Sequence, residues 1–214
     1  QSGTIRLPAY RALYLDHILK EGPGITYYRD QLFKSMVRAV KTVEDSDEPV
    51  PARFEAILRE YQKTGFRWMK TLDKCGFGGI LADDMGLGKT IQVIALFEDT
   101  YSSGEAPSLV VCPASLVYNW EQEIQKFAPD LKVRSVVGTG PQRLELLEKI
   151  KEDPSGCQIL ITSYDLLRRD IEQYQNLTFD YQIIDEAQFI KNATTKAAQA
   201  VKQINSRFRL ALTG

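Results

Sequence analysis

Gly79-Ile80-Leu81-Ala82-Asp83-Asp84-Met85-Gly86-Leu87-Gly88-Lys89-Thr90-Ile91-Gln92-Val93-Ile94-Ala95-Leu96-Phe97 decides the fold. The stretch opens on a short apolar run, turns through two glycines and continues with apolar residues at helical spacing. Strand, glycine turn, helix is the arrangement that cradles a nucleotide triphosphate. Backbone N–H groups of the turn point at phosphate oxygens, and the helix N-terminus adds partial positive charge. Lys89 is placed to reach the β- and γ-phosphates, and the Thr90 hydroxyl to ligate Mg²⁺. The general pattern asks for glycine where Asp83 sits. Alone, the stretch therefore also fits an ordinary strand-to-helix turn with an exposed lysine.

Working outward, six apolar runs read as buried strands: 79–82, 109–112, 133–137, 159–162, 182–185 and 210–213. Helical patterns at 90–101, 115–127, 141–151, 164–170 and 194–204 alternate with them. This alternation predicts an α/β fold, a parallel sheet with helices on both faces. In such sheets ligands bind outside the carboxyl ends of the strands. Upstream, Tyr10, Leu13, Tyr14, Ile18 and Leu19 repeat at helical spacing, as do Tyr28, Leu32, Met36, Val37, Val40 and Val43. Glu21-Gly22-Pro23-Gly24 divides the two sets, and an acidic, proline-bearing stretch follows at 44–51. The expected organisation is a helical appendage and linker over 1–50 and one nucleotide-binding domain over 51–214.

Bulk properties narrow the class. The 214 residues are 43% hydrophobic and 26% charged, as in a soluble globular protein. No run approaches the roughly 18–20 apolar residues of a membrane span, and the first residues lack the pattern of a signal peptide. Cys75, Cys112 and Cys157 are odd in number and far apart, and the last two lie in strand-like runs. Buried free thiols in a reducing cytoplasm are expected. Without a Cys/His cluster there is no zinc site, and the lone His17 lies in a helical pattern. A net charge of −1 does not advertise nucleic-acid binding, although backbone contacts depend on a local patch rather than the total.

A second signal lies at Asp180-Tyr181-Gln182-Ile183-Ile184-Asp185-Glu186-Ala187-Gln188, an apolar strand ending in adjacent carboxylates. Alone it also fits a solvated acidic turn. Paired with the glycine turn it completes an ATPase site. Mg²⁺ takes few protein ligands, so Asp185 with Thr90 suffices for the metal. Glu186 is then the residue to polarise the water that attacks the γ-phosphate.

At this point the residues resemble the Swi/Snf-type DNA-translocating ATPases of helicase superfamily two, over about residues 56–214. The likeness is carried by Leu58-Arg59-Glu60-Tyr61-Gln62, Asp83 through Gln92, Pro113-Ala114-Ser115-Leu116-Val117-Tyr118-Asn119-Trp120, Thr162-Ser163-Tyr164, Asp185-Glu186-Ala187-Gln188 and Leu210-Ala211-Leu212-Thr213-Gly214, in the family's order. Asp83 is the family's usual residue. The resemblance implies a RecA-like lobe that binds ATP and Mg²⁺ through Asp83, Asp84, Met85, Gly86, Leu87, Gly88, Lys89 and Thr90. Arg59 and Gln62 join this set, Gln62 on the adenine edge. It implies catalytic roles for Lys89, Asp185, Glu186 and Gln188, and backbone contacts to duplex DNA from Pro113, Ser115, Asn119, Trp120, Thr162, Ser163 and Tyr164, although Asn119-Trp120 also fits a capped, packed helix face with Trp120 in the core. Thr213 and Gly214 would link hydrolysis to movement between lobes.

Asp84 replaces a commoner glutamate, and Gln188 replaces the histidine of many members. Gln188 and the divergent appendage point to a bacterial-style member, cytoplasmic or nucleoid-associated. The resemblance also implies a second RecA-like lobe with an arginine that reaches across the cleft. Residues 1–214 alone are therefore expected to bind ATP weakly and hydrolyse it slowly or not at all. Two other readings stay open: a strand-separating DNA or RNA helicase, and a protein-docking role for residues 1–50.

Overall fold

A computed structural model describes residues 47–83, 86–101 and 106–214, together with Gln31, Lys34, Ser35, Val37, Arg38 and Thr42. The helical appendage and linker expected over 1–50 lie largely outside these residues, His17 among them, as do Asp84 and Met85. Among the appendage's described positions, Gln31, Lys34, Ser35, Val37 and Arg38 are helical.

Six strands form one sheet: β1 Gly79–Ala82, β2 Ser108–Cys112, β3 Val133–Ser135, β4 Ile159–Ser163, β5 Thr178–Ile184 and β6 Asn205–Thr213. Their order is β1-β6-β5-β2-β4-β3, and every pairing is parallel. The longer helices that cover the sheet are α1 Glu60–Lys74, α2 Lys89–Tyr101, α3 Val117–Phe127, α4 Gly140–Glu152, α5 Tyr164–Tyr174 and α6 Lys196–Gln203. Both β2 and β4 are buried along their whole length, as strands covered on two faces must be.

One face carries α1, α2 and α3, whose Phe66, Met69, Phe97, Trp120 and Ile124 pack on Val110, Ile161, Ile183 and Leu210. The other carries α4, α5 and α6, with Leu147, Leu167, Tyr174 and Val201 on Leu109, Leu160, Phe179 and Ile184. Because every strand runs the same way, the loops after β1, β2, β4 and β5 meet the end of β6 at one edge of the sheet.

Three differences from the sequence pattern have physical causes. First, β5 and β6 begin about four and five residues earlier than their apolar runs. There Asp180 accepts from Arg207 Nε, and Arg207 also bridges to Asp73, so charged residues pair across the strands. Second, α5 does not stop at Asp170 but kinks there, at φ −108° and ψ 16°, and resumes to Tyr174. The Asp170 carboxylate is gripped by Arg143 of α4, at 2.6 Å from Nε and 3.0 Å from Nη2. Third, Cys157 precedes β4 rather than lying in a strand, at the end of a short turn. All three described cysteines are free thiols, Cys112 and Cys157 buried and Cys75 half-buried. No described helix is long and apolar enough to cross a membrane.

Helix α1 lies very close to α2. A methyl group at Gly65 would sit 1.9 Å from Gln92 Oε1, and Gln92 is fully buried. Glycine leaves room for Gln92 here, and Tyr61 and Gln62 at the N-terminal end of α1 bond to the loop after β1.

Candidate active site

The turn after β1 takes a conformation that its glycines permit. Gly86 and Gly88 have φ of 84° and 75°, a region costly to residues with a Cβ. The Leu87 carbonyl between them accepts two bonds from α1, from Tyr61 Oη and Gln62 Nε2, both at 3.0 Å. Gln62 Oε1 accepts from Arg59 N at 2.9 Å. Gln62 is thus buried with its amide engaged at both ends, facing the turn. Arg59 is exposed at the start of α1. Lys89 opens α2 and donates to the Asp83 carbonyl at 2.7 Å, across the turn.

Asp185 follows β5 and is buried. Its main-chain N–H donates to the Val111 carbonyl at 2.8 Å, which extends the β5–β2 pairing by one residue. Trp120 Nε1 donates to Oδ2 at 2.8 Å, and Glu186 N–H donates to Oδ1 at 2.9 Å. Burial raises the Asp185 carboxyl above the usual carboxylate range, and the Trp120 and Glu186 N–H donors oppose it. Tyr164 Oη donates to the Asp185 carbonyl at 2.6 Å.

Glu186 has φ 51° and ψ 51°, the one non-glycine left-handed residue among those described. Such a conformation costs about 1–2 kcal/mol and persists where surrounding contacts hold it. From Glu186 a chain of bonds leads to the end of β6. Gln188 Nε2 donates to Glu186 Oε2, and Thr213 Oγ1 donates to Gln188 Oε1 at 3.1 Å.

A cleft of about 450 Å³ joins these parts, with Gly86, Gly88, Lys89, Thr90, Asp185 and Glu186 in its lining. Amide-rich turn, lysine, hydroxyl and carboxylates are a donor set for a triphosphate and a hard cation. Among the described residues no group of three His, Cys, Asp or Glu is placed to hold a metal alone. Thr90 and Asp185, both in the lining, are oxygen donors of the kind that suits a hard cation shared with phosphate oxygens.

The family model described as SNF2-related domain matches residues 61–214. The chain belongs to the SNF2-related family. Residues 1–51 match a second family description, bacterial SNF2 helicase associated. An ATP-dependent helicase of Mycoplasma genitalium is 46% identical over 159 residues, 73% of this chain and 15% of that protein. The TATA-binding protein-associated factor MOT1 of Saccharomyces cerevisiae is 40% identical over 178 residues, 77% of this chain and 9% of that protein. The SWI2/SNF2 ATPase core of Sulfolobus solfataricus in complex with dsDNA superposes with a TM-score of 0.65 at 46% identity, over 73% of this chain and 32% of that one. The SNF2-related chain thus spans only a small part of these relatives.

The elements tied by resemblance to duplex DNA divide by exposure. Pro113 is half-buried and Ser115 exposed in the turn before α3, and Asn119 is exposed and donates to Glu123 at 3.1 Å. Trp120, Thr162, Ser163 and Tyr164 are buried, which removes their side chains from the expected DNA contacts. Trp120 and Tyr164 are spent on Asp185. Thr162 Oγ1 donates to the Val136 carbonyl at 3.4 Å, and Ser163 Oγ accepts from Leu166 N to cap α5. The motifs that hold Trp120 and Tyr164 do not by themselves show these supporting roles. The available signal was an aromatic N–H or O–H within an otherwise apolar core segment, a group that must find a partner when buried.

Proposed function

We propose that these residues form the ATP-binding lobe of a DNA-dependent ATPase that couples hydrolysis to translocation on duplex DNA or to remodelling of protein–DNA complexes. One observation carries the reading: Lys89 and Thr90 of the phosphate turn line the same cleft as Asp185 and Glu186. A triphosphate seated on the turn N–H groups would draw Lys89 Nζ from the Asp83 carbonyl to the β- and γ-oxygens. Thr90 and Asp185 would hold Mg²⁺, which neutralises charge on the phosphates. Glu186 orients and polarises the attacking water. Gln188 holds the Glu186 carboxylate and reports its state to Thr213. Exposed Ser115 and Asn119 beside the cleft suit phosphate oxygens of DNA without reading sequence. A second RecA-like lobe supplying an arginine across the cleft belongs to the same reading, as does a cytoplasmic or nucleoid location.

The experiment is steady-state ATPase of the full-length protein with and without duplex DNA, beside Lys89→Ala. Duplex-stimulated hydrolysis that Lys89→Ala abolishes is expected. Hydrolysis unchanged by Lys89→Ala overturns the assignment. A strand-displacement assay separates translocation from unwinding, and no displacement is expected.

A further inference from the structure

Two buried aromatic donors converge on one residue. Trp120, in the first turn of α3, reaches the Asp185 carboxylate at 2.8 Å, and Tyr164, the first residue of α5, reaches the Asp185 carbonyl at 2.6 Å. They come from opposite faces of the sheet, since Trp120 packs with α1–α3 and Tyr164 with α4–α6. The Tyr164 ring is stacked under Phe189, with centroids 5.8 Å apart and planes 7° from parallel. Phe189 N–H donates to the Glu186 carbonyl at 2.9 Å. The Asp185 and Glu186 carbonyls and the Asp185 carboxylate are therefore all tied down, around the one left-handed non-glycine residue described.

We propose that Tyr164 and Trp120 are positioning residues of the cleavage reaction, which hold the Asp185–Glu186 turn so that the Glu186 carboxylate faces the cleft, and that Phe189 keeps Tyr164 in place. The proposal rests on the ATPase reading above. Phe189 is 62% exposed, too exposed for its position to be explained by core packing, and its stacked partner is the tyrosine that grips the turn. Neither Tyr164 nor Phe189 lines the cleft around the phosphate turn. Their effect must therefore pass through Asp185 and Glu186 rather than through contact with nucleotide.

This predicts a split that a purely structural role does not produce. In the full-length protein with saturating duplex, Tyr164→Phe keeps the ring stack and loses only the bond to the Asp185 carbonyl. Its kcat is expected to fall about tenfold, within the range for loss of an outer-shell partner, while KM for ATP stays within about twofold. Phe189→Ala alters an exposed side chain and leaves the fold intact. Its kcat is expected to fall about threefold at constant KM, so the proposal stays testable even where Tyr164→Phe is poorly folded. Unchanged kcat in both variants, beside an active parent and an inactive Lys89→Ala, overturns the positioning role alone. A parent that Lys89→Ala does not affect overturns both readings.

Discussion

Thr213 donates its hydroxyl proton to Gln188 Oε1 at 3.1 Å, while the same Gln188 amide donates to Glu186. A side chain at the end of β6 is thus two hydrogen bonds from the carboxylate proposed to orient water. Glutamine suits the middle of such a chain because it accepts and donates at once and does not titrate. Gln188→Ala breaks both links and should lower kcat about tenfold, on the scale of one or two net hydrogen bonds. Gln188→His should add a pH dependence that the native protein lacks at this position. Below a pKa at or somewhat above about 6.5, raised by the neighbouring carboxylate, the imidazolium would hold Glu186 in an ion pair. Its rate should then rise with pH through that value. A pH–kcat profile identical in the two proteins would refute the chain.

Gly88 combines a φ of 75° with a close neighbour, since a methyl group there would lie 2.4 Å from Gln62 Nε2. Gly88→Ala therefore meets both the left-handed penalty and a steric one. ATP affinity measured by calorimetry should fall about tenfold or more, matching strain on the order of 1–3 kcal/mol. Gly88→Ala combined with Gln62→Ala removes the clash but not the backbone penalty, and should recover part of the loss. Equal affinities in the single and double variants would show that Gln62 does not constrain the turn.

How far the sequence reveals this molecule depends on which residues report locally. The alternation of apolar runs and helical patterns predicts six parallel strands because each buried strand needs Val, Ile or Leu on both faces, as in Leu109-Val110-Val111. The lower halves of β5 and β6 escape that rule, since Asp180 and Arg207 neutralise each other across strands distant in sequence. The phosphate turn is legible because it needs glycine at two left-handed positions. The support beneath Asp185 is not, because Trp120 and Tyr164 lie 65 and 21 residues away along the chain. Burial turns both from expected DNA contacts into internal donors, Trp120 in line with the packed-helix alternative.

Arg143 and Asp170 form a two-pronged pair between α4 and α5, and Arg143 Nη1 also donates to the Gly138 carbonyl at 2.6 Å. Their side chains are 7% and 17% exposed, so either charge left alone has little water to turn to. Asp170→Asn should destabilise the fold by roughly 2 kcal/mol, the scale of a charged hydrogen bond lost inside a protein. Arg143→Met combined with Asp170→Leu should cost less than Asp170→Asn, because no unpaired charge remains. Urea unfolding midpoints check the order, and an additive double variant would show that the two residues act independently.

The buried thiols make the fold sensitive to alkali. Burial pushes the Cys112 thiol up to about 12 and the Cys157 thiol up to about 11, against an unfolded value of about 8.5. Both are neutral acids whose folded pKa is raised, so the unfolded chain releases these protons first as pH rises. Their contribution to stability is full below about 8.5 and is lost progressively as pH climbs through the folded values. Tyr101, Tyr164, Tyr174 and Tyr181, also raised by burial, act in the same direction. Urea midpoints should therefore hold between about pH 7 and 8 and fall steadily above about 9. Replacing both buried cysteines with alanine should flatten that decline without abolishing it. At pH 8 a thiol-disulfide reagent should modify half-buried Cys75 well before Cys112 or Cys157, since the thiolate is the reactive form. Reaction of all three at one rate in the folded protein would contradict the burial on which the alkaline sensitivity depends.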